Sequence, residues 1–122
     1  MARRKTRVWK ADTGSDSPER AREREDHLRP WPTLGYDRDK IALHMLHVEA
    51  LPTAEQELRR AVWLNPFEWH FKYHLAVCLF REKKFEEAQT CTQRALEQQP
   101  GESCCLELLR SIAYELETKG QP

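Results

Sequence analysis

The sequence predicts an all-α protein: antiparallel helical hairpins stacked as a short solenoid, about two repeats plus an end helix, behind an extended N-terminal arm. Three observations carry this. From Asp37 to Thr118 apolar residues recur three and four positions apart, and no segment alternates with a period of two. Helix-breaking residues fall between those segments, at Pro52, Asn65-Pro66 and Pro100-Gly101. Residue types also recur at one offset: Ala42 and Ala76, Leu51 and Phe85, Ala54 and Ala88, Ala61 and Ala95, Val62 and Leu96, and Pro66 and Pro100 are each 34 positions apart.

Residues 1–36 form the arm and lack sustained periodicity. Ser17 to His27 has the composition of a short polar helix, with nothing apolar to hold it to a core. In RPWPTLGY, residues 29–36, Pro30 and Pro32 bias the backbone toward extended conformations, while Trp31, Leu34 and Tyr36 are more apolar than a solvated linker needs. The repeat domain is expected over residues 37–118, followed by a tail at 119–122. Asp37 is expected to cap the first helix, with Ile41, Met45 and Val48 inward and an end near Leu51-Pro52. A second helix starts at Pro52-Thr53, where Thr53 and Gln56 have capping-box spacing, and turns Ala54, Leu58, Ala61 and Val62 inward. A third runs from about Glu68 to Glu82 through Leu75, Ala76, Leu79 and Phe80. The fourth places Phe85, Ala88, Cys91, Thr92, Ala95 and Leu96 on one side. The last, from about Glu102 to Thr118, carries Leu106, Leu109, Ile112, Ala113 and Leu116.

The chain has 122 residues, with 20 Lys plus Arg balancing 20 Asp plus Glu, so no overall field draws it to nucleic acid or anionic membrane. The arm carries nine basic and six acidic residues, and the remainder eleven and fourteen. Apolar runs are far shorter than a membrane span requires. The basic start has no apolar stretch behind it, and Asp12, Asp16 and Glu19 speak against an organelle presequence, so a cytoplasmic location is expected. The four cysteines, Cys78, Cys91, Cys104 and Cys105, show no C-x-x-C spacing and are expected as small, partly buried reduced thiols.

The residues at the recurring offset resemble those of tetratricopeptide repeat (TPR) proteins. One copy is Ile41, Ala42, Met45, Leu51, Ala54, Ala61 and Pro66; the other is Leu75, Ala76, Leu79, Phe85, Ala88, Ala95 and Pro100. The chain departs from the family pattern at Arg38 and Lys72, where a bulky residue is usual, at Ala42 and Ala76, where glycine is usual, and at Thr92. The resemblance implies a concave face lined by the first helix of each hairpin. Its candidate residues are Asp39, Leu43, Leu46 and His47, then His70, Tyr73, His74, Val77, Phe80 and Arg81. TPR domains that grip acidic chaperone tails carry Lys, Arg and Asn where this chain has Asp39, Leu43 and His74, so an apolar helix or extended segment suits the groove better. That segment would belong to a partner or be this chain's own RPWPTLGY.

The resemblance also implies an incomplete stack, because the first helix has no hairpin before it. Its outer face calls for the arm, a second copy or a partner. The expected function is a non-catalytic protein-interaction module, an accessory or scaffold subunit that also uses Trp9, Trp31, Leu34, Tyr36 and Trp63. Trp63 either contacts a partner or packs on its own turn. The alternatives are a transient assembly chaperone or adaptor, and local nucleic-acid contact by RRKTRVWK with Trp9 as a stacking ring. No catalytic, cofactor or metal site is expected. His70 and His74 are i, i+4 and His44 and His47 are i, i+3, but neither pair shows an obvious carboxylate or thiolate on its own face. There is no HExxH, P-loop, G-x-S-x-G or dinucleotide turn.

Overall fold

The computed structural model describes residues 17–119. Trp9 and the basic residues of RRKTRVWK lie outside the described residues, as do the last three residues of the tail. Every regular element among the described residues is an α-helix: α1 (Pro18–Leu28), α2 (Tyr36–His47), α3 (Leu51–Leu64), α4 (Trp69–Arg81), α5 (Phe85–Gln98) and α6 (Ser103–Lys119). None is long and apolar enough to cross a membrane. From α2 onward each helix packs on the next, and α4 also touches both α2 and α6.

Alanine makes the close approaches possible. Ala42, Ala54, Ala61, Ala76, Ala88 and Ala95 are all fully buried, and around them pack Leu46, Leu58, Leu75, Cys78, Leu79, Phe85 and Ile112. A larger side chain at any of these alanines has no space to enter without moving a neighbouring helix. Helices α3 and α5 are also tied at the surface: Glu55 on α3 holds Lys84, at the start of α5, at 2.9 Å, and Arg59 on α3 holds Glu87 on α5 at 3.1 Å.

The 34-residue offset is visible in the backbone itself. Helices α3 and α5 each have 14 residues and begin 34 positions apart, at Leu51 and Phe85. The residues that cap them match: Asn65 has φ −140 and ψ 81, Gln99 φ −135 and ψ 79. The turn before each is a Schellman motif. Ala50 N–H donates to the Met45 carbonyl at 2.8 Å and Glu49 N–H to that of Leu46 at 3.2 Å; 34 residues on, Lys84 donates to Leu79 at 2.9 Å and Lys83 to Phe80 at 3.0 Å. Glu49 and Lys83 sit in the left-handed region at φ 64 and φ 65, where glycine is usual. Asn65-Pro66 ends α3 because the residue before a proline is pushed out of the helical region.

Several expectations are corrected. Helix α2 begins at Tyr36, with Gly35 at φ 92 in the capping position, while the Asp37 carboxylate accepts from the adjacent Arg38 N–H instead. Thr53 and Gln56 form no capping box, since α3 starts two residues earlier at Leu51. The inward arc of α2 is Ala42 and Leu46 with Met45, so Ile41 and Val48 point outward, 42% and 52% exposed. The inward arc of α6 is Cys105, Leu108, Ile112 and Leu116, leaving Leu106 and Ala113 exposed. Both helices touch two neighbours, or carry apolar residues on more than one side, so periodicity alone does not choose the arc. Residues 17–36 are not one extended arm: 18–28 are helical, and 29–35 form a strap across the α3–α4 turn. The Arg29-Pro30 peptide bond is cis.

Candidate functional site

Two surfaces bring the candidate residues together. The first runs along α2 and α4. Asp39 and His74 join the helices, with Asp39 Oδ1 2.7 Å from His74 Nδ1. Arg81 reaches back from α4 to donate to the Leu46 carbonyl at 3.1 Å, adding a side-chain donor to a carbonyl that already accepts from Glu49 N–H. Between these polar links lie apolar groups: Leu43 is 41% exposed, while Val77, Tyr73 and Phe80 are half-buried. Phe80 packs edge-on against Phe85 at 5.5 Å, so part of it serves the core. Tyr73 faces the start of α6, where burial and the Cys104 and Cys105 thiols raise its phenol. His47 is exposed at the end of α2. Leu46 is a correction: at 6% exposure it belongs to the core and offers nothing to a partner.

The histidines acquire carboxylates that their own helix faces do not carry. His70, exposed and stacked on Trp69 at 3.9 Å, has Glu68 Oε1 2.6 Å from its Nδ1. Glu68 also accepts from the Tyr36 hydroxyl at 2.7 Å. Burial alone would raise the Glu68 carboxyl, but Tyr36 and His70 hold it below its ordinary range. The His70 pair is local, with the cap of its own helix, and the His74 pair joins α4 to α2; among the described residues no three His, Cys, Asp or Glu side chains converge as metal ligands would.

The second surface is the strap. Asn65, fully buried, donates from Nδ2 to the Pro32 and Leu34 carbonyls at 2.9 and 3.1 Å, and its Oδ1 accepts from Phe67 N–H at 3.2 Å. Trp31 N–H adds a bond to the Leu64 carbonyl at 3.3 Å. The strap thus supplies backbone acceptors to a turn that proline interrupts. It also covers Phe71, fully buried on α4, against which Tyr36 packs edge-on at 5.0 Å. RPWPTLGY therefore lies over the α3–α4 turn, and not in the groove of Leu43, Tyr73 and Val77. Leu34 is half-buried, while the Trp31 side chain remains 57% exposed. Trp63, 42% exposed, carries the Arg29 guanidinium at 4.0 Å and that of Arg60 at 4.9 Å over its ring, and its carbonyl accepts from Arg29 Nε at 2.8 Å. Its ring contacts are thus the strap's Arg29 and Arg60 of its own helix. Phe67, 58% exposed beside it, was not foreseen as a surface residue; its place directly after Asn65-Pro66 was the available signal.

The two departures at Arg38 and Lys72 also find their reason. Lys72 donates to the Pro66 carbonyl at 2.8 Å and to Gln98 at 2.5 Å, closing the α3–α4 turn onto α5. Arg38 binds Glu25 of α1 and Glu57 of α3. Cys78 and Cys105 are fully buried and burial pushes each thiol up to about 12, which makes them packing groups; Cys91 and Cys104 are half-buried. No family model, curated protein or solved structure matches the chain.

Proposed function

We propose that the chain is a short TPR-like stack acting as a non-catalytic protein-interaction module, an accessory subunit that receives an apolar helix or extended segment of a partner on the α2–α4 strip. The observation that carries this reading is the state of that strip. Its polar groups, Asp39, His74 and Arg81, are already engaged with one another or with backbone, while Leu43 and the half-buried Tyr73 and Val77 remain open between them. A surface whose hydrogen bonds are satisfied internally recognises a partner by apolar contact. The stacked-hairpin reading is supported by the matched helix lengths, cap dihedrals and Schellman turns at the 34-residue offset. The strap, occupied elsewhere, leaves the strip for another chain.

The test is stoichiometric co-purification of the full chain from its native cell, beside a Leu43→Asp variant. Leu43 is exposed, so the variant is expected to melt within about 0.5 kcal/mol of the parent and to lose the partner. Equal recovery by both would remove the strip from consideration. Departure of the chain from the finished complex would assign it instead to transient assembly.

A further inference from the structure

Helix α1 buries no residue. Its inward stripe is short, Ala21 and Glu25 being half-buried while Leu28 is 60% exposed. The densest contact with the body of the protein is the Glu25 carboxylate, and the Arg22 carbonyl also accepts from Arg60 Nη2 at 3.4 Å. Glu25 Oε1 lies 3.0 Å from Arg38 Nη2 and 3.0 Å from Arg60 Nη2, and Oε2 accepts from Arg38 Nε at 3.1 Å. Asp26 adds a contact to Arg60 at 3.0 Å. The three principal side chains are well enclosed, Glu25 at 14%, Arg60 at 15% and Arg38 at 20% exposure. Beside them lies a cleft of about 400 Å³ lined by Ala21, Arg24 and Leu28 on one side and Thr33, Leu34 and Asp37 on the other. Helix α1 thus closes over open space and not over a packed seam.

Two consequences follow. An isolated helix shorter than about 12–15 residues is marginal in water, and α1 has 11 with no apolar face. Its helical state therefore leans on docking, in which Glu25 holds two guanidiniums while Asp26 and the Arg22 carbonyl add to Arg60. In the other direction, both carboxylates on Arg60 belong to α1, whereas Arg38 also has Glu57 at 3.2 Å. Withdrawing α1 would leave a half-buried guanidinium without an anion, next to a second one, both on the α2–α3 hairpin. Two guanidiniums so placed hold a carboxylate by charge-assisted hydrogen bonds.

We propose that Arg38 and Arg60 form a carboxylate receptor, filled in cis by Glu25 of α1 and available in trans to an acidic segment of a partner protein. The ligand chemistry is read from α1 itself: adjacent acidic residues on a polar segment, with no apolar anchor required. Charge complementarity selects it, since the α2–α4 strip takes apolar groups and this receptor takes anions. The receptor is separate from that strip and stands or falls without it. Exchange frees α1 while the hairpins stay folded.

The test uses the full isotope-labelled chain, an E25Q/D26N variant that empties the receptor, and a capped synthetic peptide of residues 17–29, which carries the Glu25-Asp26 pair, as the probe. In the variant, the α1 amides are expected to lose exchange protection while α2–α6 keep theirs. The peptide is expected to shift the side-chain N–H signals of Arg38 and Arg60, and to bind the variant about tenfold more tightly than the parent, where α1 competes. A peptide carrying the same two substitutions, or a chain with R60Q added, is expected to show no binding, and salt to weaken what binding there is. Unchanged protection of α1 in E25Q/D26N, no binding to that variant, or binding indifferent to the peptide's acidic residues would overturn the proposal. A parent dimer that E25Q/D26N dissociates would give the receptor to the α1 of a second copy and overturn its assignment to a partner.

Discussion

Replacing Glu49 or Lys83 by glycine is expected to stabilise the protein. Both residues occupy the left-handed position of a Schellman turn, at φ 64 and φ 65, where the Cβ approaches the following carbonyl. That conformation costs a residue with a Cβ roughly 1–2 kcal/mol, and glycine escapes it. Glycine gives back about 0.5–1 kcal/mol through the greater freedom of its unfolded chain. The net gain is therefore about 0.5–1 kcal/mol at each turn. Little else is lost at Glu49, whose side chain is 75% exposed and 4.0 Å from Arg81. The backbone hydrogen bonds of the two turns are separate, but Arg81 donates from the second turn to the Leu46 carbonyl of the first at 3.1 Å, so the double variant measures whether the two gains couple. A domain of this size gains roughly 4–8 °C in Tm per kcal/mol, which makes each change readable. The assay is thermal and urea unfolding of the parent, the two glycine variants, the double variant, and Glu49→Ala and Lys83→Ala as controls that keep the Cβ. The alanine variants are expected within about 0.5 kcal/mol of the parent. If glycine and alanine behave alike at both positions, the left-handed geometry is absent and the reasoning fails.

The two glycines at positive φ are expected to differ when changed to alanine. At Gly35 the new Cβ would meet Phe71 Cε2 at 2.8 Å and the Ala61 carbonyl at 3.1 Å, so Gly35→Ala should cost about 2–4 kcal/mol, whereas Gly101 has nothing within 4 Å and should cost about 1 kcal/mol, both read from urea midpoints. Asn65→Ala unpairs the Pro32 and Leu34 carbonyls and should cost about 2–3 kcal/mol, with faster amide exchange in the strap; Asn65→Asp should be worse, because its carboxylate would face two carbonyl oxygens. Burial alone would raise Glu55, but Lys84, Glu82 and Arg59 hold its carboxyl near about 2, so its stabilising contribution is complete above the ordinary value of 4.5 and lost as pH falls toward 2. Acid titration followed by far-ultraviolet circular dichroism should show that loss, and Glu55→Gln should flatten it; an unchanged slope would mean that other carboxylates, such as Glu25 and Glu68, set the acid limit.

Much of the interior was legible before any coordinates. Ala54, Ala61, Ala76, Ala88, Ala95, Phe85 and Thr92 lie on the sides that periodicity assigned them, and α3 and α5 end just before Pro66 and Pro100-Gly101. These signals are local, since a residue four positions away reports the same face. The misses have a common origin. Helix α2 carries Ile41, Leu43, Met45, Leu46 and Val48 on nearly all sides, and contact with both α3 and α4 chooses among them. Phe71 had no inward signal because the cover over it comes from Gly35 and Tyr36, over thirty positions earlier. Among the candidate strip residues Leu46 is buried in the core, while Leu43, His47 and Arg81 are exposed and Tyr73 and Val77 are half-buried.

The sequence by itself determined that these segments are helices, to within a few residues, and which small residues recur 34 positions apart and let them approach, because backbone propensity and side-chain period act over one or two turns. Only the tertiary structure decided which arc of α2 and α6 faces inward, that residues 29–35 cross the α3–α4 turn, and that Glu25 of α1 holds two guanidiniums. Those outcomes depend on pairs such as Asn65 with Pro32 and Arg60 with Glu25, 33 and 35 positions apart. Hydrogen bonds and ion pairs at such separations leave no period in the chain; they exist only once packing has brought the two ends within 3 Å or so of each other.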